Sequence, residues 1–132
     1  MALKIIFMGT PEFSVPILEK LYKSEHKILQ VYTQPPKKKD RGLKINFTPV
    51  YNFALKHKIK VKHPERIDTD SEINFIKENN PDVVVVVAYG KILPTKLLNL
   101  QNIKFINVHA SLLPKWRGAA PIQRSIMNLD FE

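Results

Sequence analysis

Two side chains that can do chemistry together, Asn107 and His109, stand two positions apart at the end of the apolar segment KFINV. If this segment is a β-strand, residues two apart point to the same face with their Cα atoms about 6.5 Å apart, so the amide and the imidazole can reach one bound group. An amide is a neutral hydrogen-bond donor for a developing oxyanion, and an imidazole exchanges protons near pH 7. The pair therefore suits acyl transfer through a tetrahedral intermediate.

Other interpretations of this pair stay open on spacing alone. A polar pair at a strand end can cap the strand, or the histidine can be a core residue with satisfied hydrogen bonds. A metal site is less favoured, because His26, His57 and His63 are scattered and no second His or carboxylate stands at ligand spacing from His109. We therefore expect no metal.

The elements that must position the pair alternate between strands and helices, which predicts an α/β fold with a Rossmann-like parallel sheet flanked by helices. Strands are predicted over residues 3–9, 27–33, 60–62, 81–90 and 104–110. The run VVVVV within 81–90 is apolar on both faces and suits an interior strand. Helices are predicted to begin with Ser14 as a candidate cap, at Thr48-Pro49 and at the capping-box pair Thr69 and Glu72, with a last helix over 119–129.

Strand ends are the expected place for a ligand, because open α/β sheets bind ligands beyond the carboxyl ends of their strands. Besides the Asn/His pair, two other strand ends carry candidate residues: Gly9-Thr10-Pro11 and Ala88-Tyr89-Gly90. The segment GTPEF lacks the G-x-G-x-x-G spacing, and no GxxxxGK[ST] motif occurs. We therefore expect neither NAD nor ATP bound in the usual way.

Composition narrows the classes further. The chain has no cysteine, which excludes disulfide scaffolds and a cysteine nucleophile, and no apolar run is long enough to span a bilayer. Its formal net charge of +9 favours a nucleic-acid partner, although a Lys-, Ile- and Asn-rich sequence can also reflect an AT-rich genome. The densest basic cluster, KKKDRGLK at 37–44, is predicted to be an exposed loop. Lysines 56, 58, 60 and 62 are predicted to form the solvated face of a short edge strand.

Four segments in sequence carry a family resemblance: KIIFMGTPEFSVPIL, TQPPKKKDRGLKINFTPV, VVVVVAYGKILP and NVHASLLPKWRGAAPIQR. Together they resemble the N10-formyltetrahydrofolate-dependent formyltransferases, and within these the methionyl-tRNA formyltransferase family. The resemblance covers essentially the whole chain. It implies transfer of a formyl group from N10-formyltetrahydrofolate to the amino group of methionyl-initiator tRNA. We also expect a cytoplasmic protein without a membrane segment, and a monomer at full length.

The same resemblance assigns roles to residues. Asn107 and His109 match the family's catalytic Asn and His, and the imidazole is expected to be tuned by a nearby carboxylate. The remaining assignments are grouped by ligand: folate for Ala88, Tyr89, Gly90, Ser111, Leu112, Leu113 and Pro114; tRNA for Arg41, Lys37, Lys38, Lys39 and Lys44; the methionyl group for Thr10 and Phe13. Each group has a structural alternative. The folate residues can be ordinary loop packing, the tRNA residues a solvated charge run, and Phe13 a core residue.

Two parts of the family pattern are not found in this sequence. The family has a third catalytic residue, an Asp in a DxGxDTG-like motif, and a C-terminal β-barrel domain, and neither is present in residues 1–132. The sequence is therefore interpreted as the N-terminal part of the catalytic domain, inactive or nearly so alone. A non-catalytic folate- or tRNA-binding module and a sugar-nucleotide N-formyltransferase stay open as alternatives.

Overall fold

The computed structural model describes residues 1–39 and 44–109, and it confirms the predicted Rossmann-like fold. The strands are β1 (Lys4–Gly9), β2 (Lys27–Tyr32), β3 (Lys37–Lys39), β4 (Lys44–Asn46), β5 (Val61–Lys62), β6 (Val83–Val87) and β7 (Lys104–Asn107). The helices are α1 (Val15–Tyr22), α2 (Pro49–Lys56), α3 (Asp70–Asn79) and α4 (Thr95–Leu98), and a single 3-10 turn at Glu12–Ser14 precedes α1. Five strands form a parallel sheet in the order β5-β2-β1-β6-β7.

Alternating side chains of the sheet divide the core into two layers. On β1, Ile5 and Phe7 pack toward α1 and α2, whereas Ile6 and Met8 pack toward α3 and α4. All four are fully buried. The valines of β6 alternate between the same two layers, which is why an unbroken apolar run suits this strand.

Helix starts follow the predicted signals in part. The Thr48 hydroxyl accepts the amide of Tyr51 at 3.0 Å, and Pro49 opens α2, as predicted. Thr69 likewise caps α3 by accepting the amide of Glu72 at 3.2 Å. Ser14 stands at the N-cap of α1, but its hydroxyl makes no capping bond. The prediction of a capping role for this side chain was therefore wrong.

Glu72 does not complete the reciprocal half of its capping box, because its carboxylate turns to β2 and β5. It accepts hydrogen bonds from the Tyr32 hydroxyl and from Lys62 Nζ, both at 2.9 Å. The same ammonium group lies 3.8 Å from the centroid of the Phe75 ring. This half-buried network joins α3 to the sheet.

Two predictions about basic segments need correction. Lys37, Lys38 and Lys44 are exposed, but the segment is not simply a loop, because β3 and β4 pair as an antiparallel hairpin. Of the lysines predicted on one strand face, Lys56 ends α2, Lys58 and Lys60 lie in the connection that follows, and only Lys62 lies in β5. Short α4 was not predicted at all.

The predicted helix over 119–129 lies outside the described residues. Among the described residues, no helix has the length and apolar character needed to cross a membrane.

Candidate active site

The carboxyl ends of β6 and β7 and the turn before α1 surround a cavity of about 360 Å³, here called the Asn-His cavity. Asn107 and His109 both lie on its wall, so the pair predicted from spacing does reach one space. The rest of the lining comes from β6, the loop after it, the turn before α1 and the residue that follows β7: Phe13, Val86, Ala88, Tyr89, Gly90, Lys91 and Val108.

The Asn/His pair straddles the end of β7. Asn107 is the last residue of the strand, and the amide of Val108 donates to the carbonyl of Val86 at 2.8 Å. His109 follows just beyond the strand, although the prediction placed it within one. Asn107 and His109 are exposed while Val108 between them is buried, so the alternative of a satisfied core histidine does not describe His109.

The loop after β6 has a backbone that few residues adopt. Ala88 has a φ of 53° and Gly90 a φ of 89°, so two left-handed residues flank Tyr89. A Cβ added to Gly90 would lie 2.0 Å from Nε2 of Gln34. The backbone groups of Ala88 and Gly90 make no hydrogen bond to another described residue, so this loop can offer them to a ligand.

The side chain of Tyr89 points away from the cavity. Its side chain is 1% exposed and packs with Ile6 and Met8 in the core layer under α3, on the far side from solvent. Burial raises the pKa of the Tyr89 phenol, and the nearby Glu72 carboxylate raises it further. The ring of Tyr89 therefore anchors the loop, and only the backbone of this residue is suited to contact a ligand.

The turn before α1 brings in Phe13. This residue lies in the 3-10 turn rather than in the helix, and its side chain is 36% exposed at the cavity, which argues against the alternative of core packing. Next to it, the fully buried Ser14 donates its hydroxyl proton to the carbonyl of Val87 at 2.6 Å. This bond fixes the turn against the end of β6, which explains why Ser14 does not cap α1.

A second cavity, of about 420 Å³, lies between the sheet and the β3–β4 hairpin and is here called the hairpin cavity. Thr10, Lys37 and Lys38 line it, together with Gln34, Pro35, Asn46 and Thr48. Thr10 also donates its hydroxyl proton to the carbonyl of Tyr89 at 2.7 Å. Since Tyr89 lies on the wall of the Asn-His cavity, this bond links the linings of the two cavities.

Among the remaining predicted residues whose side chains are described, Lys44 lines neither cavity. Lys39 and Lys44 face each other across the hairpin as a backbone pair, and Lys44 is exposed. The other predicted ligand-binding residues lie outside the described part of the chain: Arg41, Ser111, Leu112, Leu113 and Pro114. Within residues 1–39 and 44–109, no cluster of three or more His, Cys, Asp or Glu side chains is placed to hold a metal ion.

Sequence reasoning missed two residues of the site. Gln34 follows the carboxyl end of β2, and the rule that singled out the ends of β1 and β6 would have found it. Lys91 lines the Asn-His cavity while its Nζ donates to the carbonyl of Glu65 at 2.8 Å. No local pattern signals that long-range bond.

Comparison with known proteins identifies the family. The model of the family described as "Formyl transferase" matches residues 3–131. This chain belongs to the formyl transferase family. A methionyl-tRNA formyltransferase of Pelagibacter ubique (strain HTCC1062) is 55% identical over 133 residues, and one of Sulfurihydrogenibium sp. (strain YO3AOP1) is 56% identical over 126 residues. These alignments cover 100% and 95% of this chain, but only 43% and 40% of the two relatives, so the chain spans about two fifths of their length.

Solved formyltransferase structures share the fold of the chain. The phosphoribosylglycinamide formyltransferase of Bacillus halodurans superposes with a TM-score of 0.59 at 18% identity, covering 95% of this chain and 65% of that one. The enzyme of the same name from Anaplasma phagocytophilum gives 0.58 at 21% identity, covering 97% and 59%. At these identities the likeness concerns the fold alone.

Proposed function

We propose that this chain forms the formyl-transferring part of a methionyl-tRNA formyltransferase, which moves a formyl group from N10-formyltetrahydrofolate to the α-amino group of methionine on initiator tRNA. The observation that carries the proposal is the meeting of Asn107, His109 and the loop 88–90 on one cavity, beside a basic hairpin. Relatives that are about 55% identical and bear this name support the choice of acceptor.

The reaction asks for an oxyanion donor and a proton carrier. The methionyl amine attacks the formyl carbon, the bond from that carbon to N10 breaks, and one proton passes from the amine to the departing N10. The Asn107 amide, exposed at the end of β7, donates a hydrogen bond to the oxygen as negative charge develops on it. The His109 imidazole, on the same wall, carries the proton.

The folate co-substrate supplies the formyl group, and the residues present suit it. A volume of about 360 Å³ lies within the usual range for small-molecule sites, roughly 300–1,000 Å³. The left-handed residues Ala88 and Gly90 expose backbone donors and acceptors along the wall, as recognition of a flat heterocycle by its edge requires. Thr10 and the buried Tyr89 ring hold that backbone in place.

The basic hairpin supplies the contact with RNA. Lys37 and Lys38 are exposed and line the hairpin cavity, which Thr10 joins to the Asn-His cavity. Lysines at this place can bind phosphates near the acceptor end, so that the esterified methionine reaches Asn107 and His109. Phe13, exposed at the Asn-His cavity, is suited to contact the methionyl side chain.

The acceptor is tested by offering candidate amines one at a time. The complete protein is incubated with N10-formyltetrahydrofolate carrying a labelled formyl group and, separately, with methionyl-initiator tRNA, glycinamide ribonucleotide or an amino sugar nucleotide. We expect label only in the tRNA fraction. Transfer to either small amine with none to tRNA would overturn the proposed acceptor, and folate binding with no transfer to any amine would favour a non-catalytic module.

The role of the hairpin is tested separately. Lys37→Gln/Lys38→Gln removes two charges from the hairpin, and Lys20→Gln/Lys96→Gln removes two from exposed sites on α1 and α4. We expect the hairpin variant to raise KM for tRNA about tenfold with little change in kcat, and the control to leave both unchanged. Equal effects of the two variants would show that only net charge matters.

A further inference from the structure

The opposite end of the sheet carries a larger cavity, of about 650 Å³, here called the amino-edge cavity. It lies where β2 begins and where α2 connects to β5, about 20 Å from the Asn-His cavity if six residues of strand are counted at ~3.3 Å each. Its polar lining includes Tyr22, Lys27, His57, Lys58, Lys60 and Asn79. Neither the proposed reaction nor the family resemblance gives this cavity a role.

Unpaired positive charge distinguishes the amino-edge cavity. Lys27, Lys58 and Lys60 are exposed and form no salt bridge with any described residue, and no carboxylate is among the described residues of its lining. By contrast, Lys23 at the end of α1 and Lys96 on α4 pair with acidic side chains at 3.2 and 3.1 Å. Three uncompensated cations around a concave, low-dielectric wall create a positive potential that attracts polyanions.

The backbone that carries these lysines is fixed. The carbonyl of Lys60 accepts the amide of Val31 at 2.8 Å, and the amide of Lys27 donates to the carbonyl of Leu3 at 2.9 Å. Lys58 follows the C-cap of α2 with a φ of 59°, at a position where glycine is the usual residue. The three charged groups therefore extend from a rigid rim.

Aromatic rings stand beside the lysines. The Tyr22 side chain is 41% exposed, and its ring centroid lies 5.0 Å from that of His57. The Phe53 ring packs against both of these rings, with centroid distances of 6.2 Å to Tyr22 and 4.3 Å to His57. Supported, exposed aromatic rings next to cations are the combination that binds bases and phosphates of single strands.

We propose that the amino-edge cavity is a nucleotide-binding site, in which the three lysines bind phosphate and the exposed ring of Tyr22 stacks on a base. Its volume lies within the range of small-ligand sites. The shared chemistry is a nucleoside phosphate, which can come from an RNA strand or from a free nucleotide. The inference goes beyond formyl transfer and does not depend on it.

Binding of two probes to the complete protein tests the proposal and separates these sources. The probes are a fluorescein-labelled uridine 12-mer and a fluorescent ATP analogue, each titrated by anisotropy at low and moderate salt. Lys58→Gln/Lys60→Gln is compared with Lys20→Gln/Lys96→Gln, two exposed lysines that do not line the cavity. Both double variants remove two positive charges, so net charge is matched.

We expect the cavity variant to bind the 12-mer about tenfold more weakly than the control, with a log–log salt slope shallower by about 1.4 because two phosphate contacts are lost. Tyr22→Leu should weaken binding at least about fivefold without changing that slope.

Binding of both probes indicates a nucleotide pocket, and binding of the 12-mer alone indicates a strand-binding groove. Affinities of cavity and control variants within twofold of each other, or a loss confined to Lys37→Gln/Lys38→Gln, would overturn the proposal. Formyl transfer is not part of this readout, so the two proposals can fail independently.

Discussion

Two buried tyrosines on the same side of the sheet give a prediction in which the sign of the effect matters. Tyr32 and Tyr89 are 0% and 1% exposed and belong to the same core layer. The Tyr32 hydroxyl donates to the Glu72 carboxylate at 2.9 Å, whereas the buried Tyr89 hydroxyl has no hydrogen-bond partner among the described residues. Replacing each by phenylalanine removes only the hydroxyl group and leaves the ring in place.

The expected free energies of unfolding differ in direction. Tyr32→Phe removes a hydrogen bond to a charged acceptor, which lowers stability by about 1.5–3 kcal/mol. Tyr89→Phe removes a buried hydroxyl whose desolvation is not compensated, which raises stability by about 1–3 kcal/mol. The two variants should therefore differ by about 2.5–6 kcal/mol, although the chemical change is the same.

Urea unfolding measures this difference. The midpoint should fall for Tyr32→Phe and rise for Tyr89→Phe, with the slope against urea unchanged in both, since little surface changes. Tyr22→Phe, with a side chain that is 41% exposed, is the matched control and should stay near the wild type. A Tyr89→Phe variant that loses as much stability as Tyr32→Phe would refute the assignment of Tyr89 as an anchor without a hydrogen bond.

Three further predictions concern the same scaffold. Because burial raises the pKa of Tyr32 and Tyr89, the folded protein keeps both phenol protons where the unfolded chain loses them. Their contribution to the free energy of unfolding should be fully present below about pH 10 and should then fall by ~1.4 kcal/mol per pH unit for each tyrosine. A flat profile of unfolding free energy above pH 10 would contradict this. Gly90→Ala should lower stability by about 1–2 kcal/mol through its positive φ and more through contact with Gln34, and adding Gln34→Ala should restore the second part only, as thermal unfolding would report. Thr69→Ala should cost about 1 kcal/mol by removing the cap of α3, while Thr69→Ser should cost little; equal losses would mean that the hydroxyl does not cap.

The fold was predictable where local chemistry and sheet position agree. Five valines in a row predict an interior strand, and the Thr48-Pro49 order predicts the start of α2, because each signal acts within a few residues. The hairpin of β3 and β4 was missed for the opposite reason. Its lysines have no apolar alternation to show a strand, and the backbone pairing of β3 with β4 leaves no sign in the sequence pattern.

The candidate site was predictable up to the point where chain topology decides. Two rules predicted that Asn107, His109 and the loop 88–90 lie near one another. Ligands bind beyond the carboxyl ends of parallel strands, and residues two apart on a strand share a face. The orientation of Tyr89 was not predictable, because two left-handed residues turn its side chain from the strand end into the core. The bond from Ser14 to the carbonyl of Val87 joins residues 73 positions apart, and no short-range pattern gives it.

The most direct test of the central claim is the single-turnover rate of formyl transfer to methionyl-initiator tRNA, measured for Asn107→Ala in the complete protein. Asn74→Ala, an exposed asparagine on α3, is the matched control. If Asn107 stabilises the oxyanion, its rate should fall by ~10²–10³ while the thermal midpoint stays that of the wild type, because the side chain is exposed. A rate within twofold of the control would contradict the account, since the Asn-His cavity would then not be where the formyl group is transferred.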